Sequence, residues 1–281
     1  MVNNAAPPGR LRAVPGRQRR PGAARGVKVP LVRTIYFDID DKTRELNKLL
    51  SRRKRLTAEF EERFELSWIF HENALDGAVI DPLDLKAALD HSTVEDGVLI
   101  PVYQRIRNHK LALSKIRAHV NSSSRPFTLS FVKEIHQTVV HGLADRKGGA
   151  YRKEIPIHRT YYHEILPPEQ IAPSLSKLMR DVKTKEFRQH HPFMQAADFH
   201  FRFMQIFPFD EDTGKVGRLL LNHFFLSAGY HPVIIPDIER QRYYDSLRAS
   251  PLTLHNLVVE CMERTIDLSL RLFARIKEEG A

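Results

Sequence analysis

The sequence lacks the residues that a redox or structural-metal protein depends on. Its single cysteine, Cys261, allows neither an internal disulfide nor a cysteine metal cage. Zinc-finger and dithiol chemistry are thereby excluded, and a reducing, cytoplasmic setting is expected. Long hydrophobic runs are also missing: the most apolar stretch, residues 219–236, is interrupted by Asn222, His223 and His231, so no membrane span is expected. Arg19-Arg20 is not followed by an apolar segment of signal-peptide length, which argues against export. Acidic residues are absent from positions 1–30, which hold Arg10, Arg12, Arg17, Arg19, Arg20, Arg25 and Lys28 and so carry +7 of the net +10 charge. The remaining 251 residues are close to neutral.

What is present is an ordinary globular composition, 42% hydrophobic and 28% charged over 281 residues. Residues 1–32 read as a disordered basic tail, because Pro, Gly and like charges without apolar periodicity do not bury enough surface to repay ordering. Such a tail contacts nucleic acid or an anionic surface only weakly and nonspecifically. Beyond a short strand expected at 34–37, residues 41–73 place Leu46, Leu49, Leu50, Leu56, Phe60, Phe64 and Phe70 at helical spacing, predicting one long helix or a bent pair. Pro82, Gly97 and Pro101 read as breaks. Further helices are predicted at 102–120, from a Thr128 or Ser130 cap to 140, and at 170–183, 192–206, 216–228, 238–247 and 252–277. Residues 148–168 differ, because Ile155, Ile157 and Tyr161 alternate with polar residues, predicting a short β-hairpin. The expected fold is mostly α, a helical bundle with one β-hairpin flap. Its expected divisions are an N-terminal helical region at 33–122, a core at 123–236 and C-terminal helices at 237–281.

The chemistry-bearing segment lies between the helices at 192–206 and 216–228. A loop containing Gly214 that opens into a helix start presents free N–H groups and the positive end of the helix dipole, a setting that favours an anion. Lys215 and Arg218, at i and i+3, both reach a phosphate there, and Glu211 is placed to hold a Mg²⁺ ion bridging phosphates. A plain charged interhelix turn fits the same residues.

The run Ile206-Phe207-Pro208-Phe209-Asp210-Glu211-Asp212-Thr213-Gly214-Lys215-Val216-Gly217-Arg218 resembles the active-site loop of the Fic (Fido) family, Ile-His-Pro-Phe-x-Asp/Glu-Gly-Asn-Gly-Arg-x-Gly-Arg. Gly149-Ala150-Tyr151-Arg152 with Ile155-Pro156-Ile157 is similar to the start of that family's flap. Pro167-Pro168-Glu169-Gln170-Ile171 resembles the flap's end, and Asn108-His109-x-x-Ala112 and Asn73-Ala74-Leu75 are similar to its preceding helices. The likeness spans about residues 60–235 and makes 123–236 the Fic core. It implies AMP transfer from ATP to a Ser, Thr or Tyr hydroxyl of a protein, with a loop His as general base and an acidic residue, here Glu211, holding Mg²⁺. It also implies phosphate binding by Asp212, Thr213, Gly214, Lys215, Gly217 and Arg218. ATP or another nucleotide with Mg²⁺ is therefore the expected cofactor. The base position is Phe207, which has no lone pair, so a factor of about 10² to 10⁴ in rate is expected to be lost. Asp212 replaces a glycine, Thr213 an asparagine and Lys215 an arginine.

The resemblance further implies a target protein held as an added strand along the flap at Ile155, Ile157, Tyr161 and Tyr162. It implies an inhibitory helix as well, at Ser67, His71, Glu72 and Asn73. Aligned through Asn73-Ala74-Leu75, His71 takes the place of the inhibitory glutamate, and Glu72 is expected to point about 100° away from the loop arginine. Three readings follow: an impaired or altered nucleotidyltransferase, a noncatalytic Fic-fold interaction module, and a nucleic-acid-associated regulator acting through the tail.

Overall fold

The structure, a computed structural model, describes residues 31–89, 100–122, 125–144, 146–156 and 163–280, with side chains from residue 36 onward. The basic tail lies outside the described residues.

Two long helices open the chain, α1 (Leu31–Arg52) and α2 (Lys54–Leu75). They form the bent pair, broken at Arg53, where the Thr57 hydroxyl bridges the bend by donating to the Leu50 carbonyl at 2.6 Å. The strand expected at 34–37 is instead the first turns of α1. Tertiary packing decides it: Ile39, Thr43 and Leu46 are buried at helical spacing, and Tyr36 stacks on His191 with ring centroids 4.0 Å apart. Next comes α3 (Pro82–Leu89), which the sequence reading took for a break. Pro82 sits in the first turn, where no N–H is required, and the Asp81 carboxylate accepts from the Leu83 N–H at 2.7 Å.

The bundle continues with α4 (Ile100–Val120), α5 (Leu129–Val139), α6 (Ile171–Asp181) and α7 (Lys185–Gln189). Thr128 caps α5, its hydroxyl accepting from the Phe131 N–H. At the centre lie α8 (Pro192–Ile206) and α9 (Thr213–Ser227), packed against each other; α4 and α5 cover α9, and α11 lies along α8. Finally α10 (Arg240–Ala249) leads to α11 (Pro251–Glu279), which starts on Ser250 as cap and Pro251 in the first turn. Phe193, Phe199, Phe203 and Phe225 fill the space between these helices and are fully buried, each contributing roughly 1.5–3 kcal/mol.

No β-strand occurs among the described residues, so the expected hairpin flap is corrected. Of its contact residues, Ile157, Tyr161 and Tyr162 lie outside the described residues, while Ile155 is 44% exposed. The backbone of both flanks bonds to the chain at and just past the end of α8, and the Arg152 side chain ties one flank to the other. Arg152 N–H donates to the Pro208 carbonyl and Leu166 N–H to the Gln205 carbonyl, both at 2.9 Å. The buried Arg152 guanidinium takes the carbonyls of Phe207 (2.7 Å), Glu154 (3.0 Å) and Leu166. Carbonyls bonded to a guanidinium are less free for a ladder. Among the described residues, no helix is long and apolar enough to cross a membrane.

Candidate functional site

The α8–α9 loop is held from within. Phe207 ends α8 in the left-handed region (φ 45°, ψ 65°), and its ring is buried 6.2 Å from that of His163. Phe209 stacks on His136 at 3.8 Å and 6°, and the Thr213 hydroxyl both accepts from the Phe209 N–H and donates to its carbonyl at 3.0 Å. His200, seven residues before Phe207, is a core group: it shares a 2.9 Å hydrogen bond with the Tyr243 hydroxyl, and burial pushes its pKa down to about 3. It is not a substitute base.

Both loop cations are buried and engaged. Arg218, 1% exposed, donates from Nε to Glu72 at 2.6 Å and from Nη2 to Asp76 at 2.9 Å. These two carboxylates, Glu72 in the last turn of α2 and Asp76 at its C-cap, hold its pKa well above the ordinary arginine value despite burial. Glu72 in turn is pushed up by burial, with Arg218 pulling against that rise. Lys215 donates to the Asn73 side-chain oxygen at 3.2 Å and lies 3.6 Å from Asp212. His109, wholly buried nearby, is kept neutral by burial and by the charges of Lys215 and Arg218.

The orientation expected of α2 does not hold. Glu72, not His71, reaches the loop arginine, because α2 turns the stripe Phe60, Phe64, Trp68 and Glu72 inward, each four residues from the last and all buried. That spacing is visible in the sequence and was the signal to follow. Ser67 and His71 face outward, His71 approaching Asp237 at 3.1 Å. Asn73 meets the loop. Asp76 was missed altogether, although it stands one turn beyond Glu72.

The helix start that should receive an anion is covered by the chain's own groups. A Cβ on Gly214 would lie 3.0 Å from Arg218 Nη1 and 3.5 Å from Asp76 Oδ1. Asp212, the residue before α9, is itself left-handed (φ 56°). Gly217 lies against His200. On the other side of the loop, Glu211 is half exposed and ion-paired with Arg146. It borders a cleft of about 480 Å³ whose wall includes His136, Lys147, Tyr151 and Lys153. Among the described residues no group of three or more His, Cys, Asp or Glu converges as a metal site, so Asp210, Glu211 and Asp212 do not form one. A single carboxylate fits Mg²⁺ only when bound phosphates complete the shell.

Residues 126–225 match the Fic/DOC family. The chain is 28% identical over 220 residues to protein adenylyltransferase Fic of Aedes aegypti, covering 75% of this chain and 42% of that protein. It is 27% identical over 244 residues to the protein of the same name from Drosophila erecta, covering 81% and 48%. The chain thus spans less than half the length of these curated relatives. Among solved structures, a Fic domain containing signaling protein from Bacteroides thetaiotaomicron superposes with TM-score 0.73 at 19% identity, covering 85% of this chain and 97% of the other. Fic-1 of C. elegans gives TM-score 0.72 at 21% identity, covering 85% and 71%.

Proposed function

Since residues 126–225 match the Fic/DOC family, we propose that the chain is a shut adenylyltransferase-type protein. Its loop binds nucleotide phosphates at Lys215 and Arg218 once α2 withdraws Glu72. The observation that carries this reading is the Glu72–Arg218–Asp76 cluster at 2.6 and 2.9 Å. Two carboxylates from one helix turn occupy a buried guanidinium at a helix start, where phosphate oxygens would otherwise bind bidentately. ATP with Mg²⁺ is the proposed ligand, the ion neutralising phosphate charge and Glu211 holding it. A target protein supplies the hydroxyl. Its oxygen forms a bond to the α-phosphorus, the bond to pyrophosphate breaks, and the proton passes to solvent water because Phe207 cannot take it. Transfer is accordingly slow, by about 10²- to 10⁴-fold for want of a positioned base.

Glu72→Gln keeps the shape of the clamp and leaves Arg218 its Asp76 partner, so the fold survives. In calorimetry with ATP and Mg²⁺ this variant binds at least tenfold more tightly than the wild type. Adding Phe207→His to it raises transfer of labelled AMP to a lysate protein or to the chain itself. No nucleotide heat from Glu72→Gln refutes the reading and leaves a noncatalytic interaction module, which the buried Phe207 ring also suits. Heat without transfer by the Phe207→His variant shows that the loop is broken beyond its base.

A further inference from the structure

A second cleft, of about 450 Å³, lies between α2 and α11, on the face of α2 that carries Ser67 and His71 and not Glu72. Its floor is apolar, with Phe64, Ile234 and Leu272. Its rim is cationic: α11 presents Arg264, Arg271 and Arg275 along one stripe with Leu268, and α2 adds Arg63. No carboxylate contributes to the lining. Arg63 is neutralised by Glu59 and Glu279, and Arg264 by Glu239. Arg271 and Arg275 have no acidic partner within ion-pair distance among the described residues. In the same wall Ser269 is 2% exposed, and its hydroxyl has no hydrogen-bond partner. Leu268, by contrast, is 56% exposed at the mouth, an apolar surface left in water.

We infer that this cleft is a binding site for a soluble anionic amphiphile, a medium-chain carboxylate whose chain lies on Phe64, Ile234 and Leu272 and whose head is held by Arg271 and Arg275 at the rim. Planar guanidinium groups match a carboxylate bidentately, and a mostly apolar pocket with a few convergent polar groups is the usual form of a small-molecule site. Taking about 30 Å³ for each water-sized group gives room for roughly fifteen non-hydrogen atoms, which accommodates decanoate and excludes a whole phospholipid. The basic tail is excluded as occupant by its charge, which repeats that of the rim.

The test is titration of the full chain with decanoate below its micelle concentration, without nucleotide, so that its outcome is independent of the adenylyltransferase reading. Heat and the fluorescence of the sole tryptophan, Trp68, which sits on α2 beside the cleft, are followed together. Decanoate is expected to saturate at one per chain. The double variant Arg271→Gln, Arg275→Gln, which changes only exposed side chains, is expected to bind about tenfold or more weakly. Decanol is expected to bind weakly as well. Failure of decanoate to bind overturns the proposal, as does equal binding of decanol or an unchanged affinity in the double variant. Two other outcomes also overturn it: sedimentation with phosphatidylglycerol vesicles while free decanoate has no effect, which assigns the patch to a lipid surface, and capture of an acidic peptide that decanoate does not displace, which assigns it to a protein segment.

Discussion

Two non-glycine residues of the loop, Phe207 and Asp212, adopt left-handed backbone. That conformation costs a residue with a Cβ roughly 1–2 kcal/mol, and it persists here because neighbours fix it. Phe207 is held by its buried ring and by Arg152 on its carbonyl; Asp212 is held by Lys215 at 3.6 Å and Arg146 at 3.9 Å. Asp212→Gly relieves the backbone but forfeits those ion pairs and adds chain entropy to the unfolded state, so the effects nearly cancel. We expect stability within about 1 kcal/mol of wild type in urea unfolding. The anion site gains more. Removing a negative charge beside Lys215 is expected to raise pyrophosphate affinity about tenfold by calorimetry. A loss above about 2 kcal/mol, or no gain in affinity, would mean that Asp212 is a structural member of the loop and not an obstacle in it.

At the scale of elements, the site depends on how closely α8 approaches α9. Gly217 is the contact: a Cβ there would meet His200 Cε1 at 3.0 Å, its Nδ1 at 3.1 Å and Phe203 Cδ1 at 3.2 Å. His200 is fixed by Tyr243 and Phe203 is fully buried, so neither yields easily. Gly217→Ala is therefore expected to cost roughly 1–3 kcal/mol as overpacking, read as a lower urea midpoint, despite the better helix propensity of alanine. Equal stability would show that the helices separate freely. Much of this packing was legible beforehand. The bounds of α8 follow from Pro192 and the phenylalanine run; the cap of α5 was narrowed to Thr128 or Ser130, and the structure selects Thr128. The start of α9 was placed three residues late, because Thr213 is spent inside the loop and only the structure shows it sealing Phe209. The alternation at Ile155, Ile157 and Tyr161 looked like a strand, but the described flanks form none, and their Glu154 and Leu166 carbonyls go to Arg152. The spacing of Lys215 and Arg218 put both side chains at the start of α9, where they lie buried. Glu72 was misdirected because alignment through Asn73-Ala74-Leu75 fixes order along the chain, whereas the burial of Trp68 and Ile69 fixes rotation of the helix.

Over the whole molecule, the consequence of this packing is acid sensitivity. His200 and His231 are pushed down to about 3, and His136 and His223 to about 4, in each case chiefly by burial. Unfolding returns each to about 6.5, so between pH 6.5 and 4 the unfolded chain binds protons that the folded chain refuses. Stability from these groups is fully present above pH 6.5 and is lost as pH falls through the folded values. Each histidine contributes up to about 1.4 kcal/mol per pH unit. Glu72 acts in the opposite sense: its raised pKa makes its contribution complete below about 4.5 and lost as pH rises through the folded value. One group does not offset four. Two pH units below 6.5, the histidine loss approaches the 5–15 kcal/mol on which a typical fold rests. The protein is thus expected to unfold cooperatively between pH 5 and 4, with urea midpoints falling steadily from pH 7 and circular dichroism reporting loss of helix. The double variant His136→Gln, His223→Gln is expected to flatten the slope by up to about 2.8 kcal/mol per pH unit in the same window. A wild-type midpoint that stays level down to pH 4 would mean that the buried imidazoles take up protons within the folded bundle.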